Sequence, residues 1–159
     1  MAMSMTTFVG QNAGARRPDR IHKGMREAMK ISLSISASII AVLYISAPFI
    51  ASLFNQDAQV LYYGVLFLRL NTLFDPFNVL NQIHAGALRG VGDSRTPMLI
   101  MLGSFVLFRQ IYLFVVSRLI HSVYFVAFCY PIGWMVCCAL ILLHVKKSGW
   151  EKKITAYKK

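Results

Sequence analysis

The stretch from Asn71 to Pro97, NTLFDPFNVLNQIHAGALRGVGDSRTP, decides how the rest of the chain is read. Its pattern is that of one long helix running out into a loop at Leu88 to Pro97. The first half lies inside an apolar run, yet it carries Asn71, Asp75, Asn78 and Gln82. At about 100° per residue these four fall within roughly 60° of one another, on one helix face. Asp75 is the only carboxylate inside any apolar segment of the chain. A buried acid on a shared polar stripe has to face protein or water rather than lipid.

Composition sets the surroundings of that stripe. The 159 residues are 57% hydrophobic and 14% charged, whereas a soluble domain is about 45–50% apolar and about 25% charged. The apolar residues collect into runs of roughly 20 or more, the length that crosses a hydrocarbon core of about 30 Å. The chain therefore reads as an all-α, polytopic membrane protein. The net charge of +11 does not indicate a nucleic-acid partner, because the basic residues border the apolar runs as topology-setting loop charges do. They cluster at Arg16, Arg17, Arg20, Lys23, Arg26 and Lys30, at Arg89 and Arg95, and at Lys146, Lys147, Lys152, Lys153, Lys158 and Lys159. Cys129, Cys137 and Cys138 match no zinc or redox spacing and read as small packing residues.

In chain order, Met1 to Val9 is apolar but about half the length of a span, and it lacks the basic start and cleavage site of a signal peptide. It reads as a short interfacial helix or as the tail of a span. Gly10 to Lys30 reads as a polar, basic loop, with Pro18-Asp19 starting a helix. Ile31 to Phe54 is the first complete span; its serines at 32, 34, 36 and 38 suit close helix packing. After a turn at Asn55-Gln56-Asp57, Leu61 to Leu80 returns through the membrane. Arg69 lies roughly 12 Å along that helix from Leu61 and points about 150° away from the polar stripe. An intrahelical pair with Asp75, six residues on, has the wrong spacing, so each group needs a partner on another helix, a water-filled cavity, or the interface by snorkelling. Pro76 predicts a kink beside Asp75. That kink is either part of a binding site, as in the broken helices of transporters, or structural, with Asp75 capping a freed N–H.

Gly90, Gly92, Asp93 and Pro97 mark a turn, whose spacing is neither the P-loop nor the dinucleotide fingerprint. Met98 to Ile120 is the next span, with Arg109 near its middle. A short turn around Arg118 and His121 leads into Val123 to Val145, where Pro131 and Gly133 predict a kink. Lys146 to Lys159 is a basic tail drawn to anionic lipid. The chain thus divides into residues 1–30, four transmembrane helices over 31–145, and a tail over 146–159. The loops at Gly10 to Lys30 and Leu88 to Pro97, with the tail, hold fourteen of the seventeen Lys and Arg residues. That places all three on the cytoplasmic side of a multi-pass protein of the cell membrane.

Two motifs carry a family resemblance. Gln11-Asn12-Ala13-Gly14-Ala15 with Pro18-Asp19-Arg20 resembles the loop after the eighth helix of multidrug and toxic compound extrusion transporters. Gly86-Ala87-Leu88-Arg89-Gly90-Val91-Gly92-Asp93-Ser94-Arg95-Thr96-Pro97 is similar to that family's signature between helices ten and eleven. Both stand in the family order, with two spans between them and two after. The resemblance implies two six-helix lobes around a central cavity, exporting drugs or organic cations in exchange for sodium or protons and needing no cofactor. It implies that this chain is a partial C-terminal lobe, from the end of helix eight through helix twelve, so that the N-terminal lobe would be a missing partner. Gln11, Gly14, Arg20, Leu88, Arg89, Gly90, Gly92, Asp93, Arg95 and Pro97 would serve structure or gating. Asp75, Asn71, Asn78 and Gln82 would bind the cation or the substrate. The helix-ten acid of the sodium-coupled branch aligns near Asn78, whereas the acid here stands at Asp75, about one turn earlier.

Two alternatives accompany this reading. A lipid-linked oligosaccharide flippase would use Arg69 and Arg109 for an anionic pyrophosphate cargo. An inert or structural membrane fragment is the other, since four spans cannot enclose a cavity between two lobes. No hydrolytic enzyme is suggested: there is no nucleophile–base set, and His22, His84, His121 and His144 show no ligand spacing.

Overall fold

The structure, a computed structural model, describes residues 2–119 and 123–147. His121 and the tail lysines from Lys152 onward fall outside them. Every regular element among the described residues is a helix, as a chain whose backbone groups must be satisfied within lipid requires. In order these are α1 (Ala2–Gly14), α2 (Pro18–Ser52), α3 (Ala58–Gly90), α4 (Arg95–Leu102), a π-helical turn (Gly103–Leu107), α5 (Phe108–Leu119), α6 (Val123–Ala127) and α7 (Cys129–Lys147).

Two expected loops are narrower than their composition suggested. The Gly10 to Lys30 loop is mostly helix, interrupted only at residues 15–17, and the Leu88 to Pro97 loop shrinks to residues 91–94. The physical reason is shared. α2 has 35 residues, about 50 Å at 1.5 Å each, so it outruns a hydrocarbon core of about 30 Å. Its polar turns are solvated helix. Both corners close with the same pattern of hydrogen bonds, in which one residue takes a left-handed conformation. At the end of α3, Gly92 N donates to Arg89 O (3.0 Å) and Asp93 N to Leu88 O (3.0 Å), with Gly92 at φ 85°. At the end of α1, Arg16 N donates to Ala13 O (3.0 Å) and Arg17 N to Asn12 O (2.9 Å). There the left-handed position falls to Arg16, at φ 54°.

α3 is the central helix, packed against α1, α2, α4, α6 and α7. Its last turns hold both cores. Met5, Val9 and Ala13 of α1 with Ile21 and Met25 of α2 close on Ile83 and Ala87, while Cys137 and Ile141 of α7 close on Ala85 and Leu88. Gly86 and Gly90, one turn apart, allow α1 to lie directly on α3. A Cβ on Gly86 would stand 2.6 Å from the Ala2 carbonyl oxygen, and one on Gly90 2.6 Å from Val9 Cβ. Thr6 Oγ1 also donates to the Gly86 carbonyl at 3.1 Å, the close small-residue packing known from membrane helices.

Among the described residues, three segments are long and apolar enough to cross a membrane: Pro18–Ser52, Arg95–Leu119 and Val123–Lys147. The expected fourth span, Leu61 to Leu80, lies within α3, which has the length at 33 residues. It is not among the three because Arg69, Asn71, Asp75, Asn78, Asn81 and Gln82 all fall on it. A helix surrounded by other helices can carry such residues. α4, the π turn and α5 form one rod, and α6 and α7 another, broken at Phe128. Pro131 accounts for that break, since it lacks the N–H that would bond the Ala127 carbonyl. α3, by contrast, runs unbroken through Pro76.

Candidate functional site

α2 and α3, joined by a turn at residues 53–57, run side by side in opposite directions. Ala51 meets Gly64, Tyr44 meets Arg69 and Ser36 meets Asp75, so stepping back along α2 steps forward along α3. Arg69 and Asp75 of α3 both find partners on α2, one of the alternatives their spacing left open. Arg69 Nε donates to the Tyr44 carbonyl at 3.3 Å, and the guanidinium stacks 4.9 Å from the Tyr44 ring centroid. That carbonyl is free because the residue four positions on, Pro48, has no N–H to return to it.

Asp75 faces a cavity of about 400 Å³ between the two helices. Ser36 Oγ donates to Asp75 Oδ2 at 2.9 Å, and Asn78 Nδ2 reaches Asp75 Oδ1 at 3.4 Å. Gln82 lines the same space one turn further on, with Ser32 and Ser36 across from it. The structure therefore gathers Asp75, Asn78 and Gln82 around one cavity. Asn71 is not among the lining residues; its Nδ2 donates at 2.8 Å to the Phe67 carbonyl of its own helix.

Ser32 and Ser36 are the residues the sequence reading passed over. Both are nine-tenths buried, at 6% and 7% exposure, although they belong to a run of alternating serines. Their signal was the i, i+4 spacing, which puts both on one face of α2. Other serines of α2 bond back to their own helix: Ser38 to the Ser34 carbonyl (3.1 Å) and Ser46 to the Val42 carbonyl (2.7 Å).

Arg109 sits in the middle of its span and is held from α7. Its Nη2 donates to Tyr130 Oη at 2.6 Å, and the guanidinium carbon lies 4.1 Å from that ring's centroid. The motif residues gather at the other end of α3. Asp93 Oδ1 accepts from Thr96 N at 3.2 Å and so caps α4. Its Oδ2 stands 3.4 Å from His144 Nε2, tying the corner to α7. Leu88 and Pro97 are buried, while Gln11, Gly14, Arg20, Gly92 and Arg95 are exposed. Arg89 and Gly90 are half-buried at the end of α3. The three cysteines are free and buried.

Comparison with known proteins adds the following. A family profile described as MatE matches residues 1–115. A probable multidrug resistance protein NorM of Thermotoga maritima is 24% identical over 100 residues, 63% of this chain and 22% of that protein. The protein of the same description from Mannheimia succiniciproducens is 30% identical over 103 residues, 64% of this chain and 22% of its own length. The chain thus spans less than a quarter of the length of the curated relatives it matches. Among solved structures, the inward-facing conformation of a multidrug resistance MATE family transporter of the MOP superfamily superposes with a TM-score of 0.83 at 18% identity. That match covers 95% of this chain and 36% of the other, and it establishes the fold.

Proposed function

The chain belongs to the MatE family, and from that premise we propose that it works as part of a cation-coupled exporter of drugs and organic cations, with Asp75 as an ion-binding carboxylate. One observation carries the reading. The acid inside the membrane-spanning region is not neutralised by Arg69 on its own helix, but opens on a cavity shared with α2. A carboxylate placed so can take a sodium ion or a proton and release it when the helices around it move. Asn78 and Gln82 line the same cavity and supply hydrogen bonds to ion or drug. Asn71 belongs to this set only if it turns from the Phe67 carbonyl. The motif corner at residues 91–94 faces the cytoplasm, as do Arg16, Arg17 and the basic first turns of α2, by the positive-inside rule.

The arginines that would suit an anionic flippase cargo are each engaged with a tyrosine, on different helix pairs, which favours the exporter. We further propose that these 159 residues do not transport alone. Apolar side chains such as Val42, Ile45, Phe49, Phe114 and Leu119 stay exposed, and a second lobe would be needed to close a central cavity. The test is a full-length relative such as the Thermotoga maritima protein with its matching segment replaced by this one. Expressed in drug-sensitive cells, the chimera should raise drug tolerance, and the same chimera with Asp75→Asn should not, at equal expression. Equal tolerance from the two would refute the role of Asp75. Tolerance conferred by the 159 residues alone would refute the need for a second lobe.

A further inference from the structure

Within the reading of Asp75 as an ion-binding carboxylate, we propose that Ser32 and Ser36 of α2 are ligands too, and that the ion they help to hold is sodium. Ser32 Oγ is buried with no hydrogen-bond partner, and Ser32 lines the cavity that Asp75 lines. A serine on a helix has an easy alternative, the carbonyl four residues back. Ser38 and Ser46 of the same helix take it; Ser32 does not. A buried hydroxyl without a partner costs about 1–3 kcal/mol, so an uncommitted one on a residue that lines the cavity beside Asp75 marks a place where something else binds.

The antiparallel register says where. Ser36 stands opposite Asp75, so Ser32, four residues back, stands opposite position 79, between Asn78 and Gln82. The Ser36 hydroxyl donates to Asp75 but keeps lone pairs to present to a cation, and Asn78 spends its Nδ2 on Asp75, leaving its amide oxygen outside that bond. The cavity therefore has oxygen donors on both helices and a single carboxylate among its lining residues. One negative charge balances a monovalent ion and leaves a divalent one uncompensated. Oxygen ligands select a hard cation. A proton needs only the Asp75 carboxylate and gives no use to the orphan Ser32 oxygen, whereas a sodium ion stripped of its water uses several such oxygens at once. Bound there, the ion would pin α2 to α3.

The test is sodium titration of the purified chain in detergent, with sodium chloride exchanged for choline chloride at constant ionic strength and unfolding followed by tryptophan fluorescence. Sodium should raise the melting temperature saturably. Ser32→Ala and Ser36→Ala should each raise the sodium Kd about tenfold, and Asp75→Asn should abolish the response. Each variant is read against its own choline curve, so lost stability does not pass for lost binding. Ser32→Cys, which keeps the volume but offers a soft sulfur, should match Ser32→Ala. A sodium response lost in Asp75→Asn but unchanged in all three serine variants overturns the inference and leaves Asp75 in its role. A response to pH but none to sodium, lost in Asp75→Asn, overturns it the same way. A sodium response that survives Asp75→Asn overturns both.

Discussion

Replacing Gly90 with alanine should destabilise the protein by about 1–3 kcal/mol, although alanine is the better helix former. The added Cβ would lie 2.6 Å from Val9 Cβ, 2.7 Å from the Thr6 carbonyl oxygen and 2.9 Å from Val9 Cγ1. Carbon contacts are comfortable at about 3.5–4.0 Å, so α1 must retreat by about 1 Å. It has little freedom to do so piecemeal: Val9 is fully buried, and the Thr6 carbonyl belongs to the α1 backbone. A gap of about 0.5–1 Å forfeits a quarter to a half of each contact's dispersion energy, here across the cluster that joins Met5, Val9 and Ala13 to Ile83 and Ala87. Overpacking of this kind costs about 1–3 kcal/mol, and stretching the Thr6–Gly86 hydrogen bond adds about 1 kcal/mol. The gain in helix propensity offsets about 1 kcal/mol. Gly14→Ala is the control, because a Cβ there meets nothing within 4 Å; it should be neutral or slightly stabilising. The assay is thermal or denaturant unfolding in detergent micelles. A Gly90→Ala protein as stable as its parent would show that α1 does not pack on α3 as described.

Other substitutions probe the remaining joints. Gly92→Ala, at the left-handed corner of α3, should cost about 1 kcal/mol, while Arg16→Gly at the matching corner of α1 should gain a similar amount, both read by unfolding. Arg69→Met strands the carbonyl that Pro48 leaves free on Tyr44 and should cost about 1–3 kcal/mol. In a Pro48→Ala background, where position 48 regains its N–H, the cost should shrink, and a double-mutant cycle measures the difference. An unchanged cost would mean the Arg69 bond does not depend on the proline. Tyr130→Phe keeps the ring under Arg109 but removes the hydroxyl 2.6 Å from it; a loss of about 1–2 kcal/mol is expected on unfolding, and none would assign the contact to the ring alone.

Much of this architecture is legible in the residues themselves, because lipid permits few alternatives. Apolar runs near the required length had to be helices, and the polar stripe of α3 had to face protein or water rather than lipid. The corner at Gly92 was legible because a left-handed position and a glycine coincide. The corner at Arg16 was not, because there the left-handed residue carries a side chain and only the hydrogen bonds reveal it. The helix start expected at Pro18-Asp19 is where α2 begins, but polar sequence did not distinguish solvated helix from loop at residues 10–14, so the extent of α1 went unseen. The π turn at Gly103–Leu107 has no signature of its own, being made of residues equally at home in an α-helix. At the site, angular position grouped Asn71 with Asp75, but sharing a face does not mean sharing a level, and the cavity exists only where α2 presents Ser32 and Ser36. Those serines were visible yet hidden among alternating ones, because which of them face α3 depends on how the two helices dock.

The most direct test of Asp75 as the coupling carboxylate is ion-driven dye movement. The chimeric transporter and its Asp75→Asn variant would be reconstituted in vesicles, and the exchange of a fluorescent organic cation recorded against an imposed sodium or proton gradient. The account predicts exchange that follows one of the gradients with Asp75 present and is lost in Asp75→Asn, with the variant folded and inserted at the same level. Gradient-driven exchange of equal rate in the variant would contradict it.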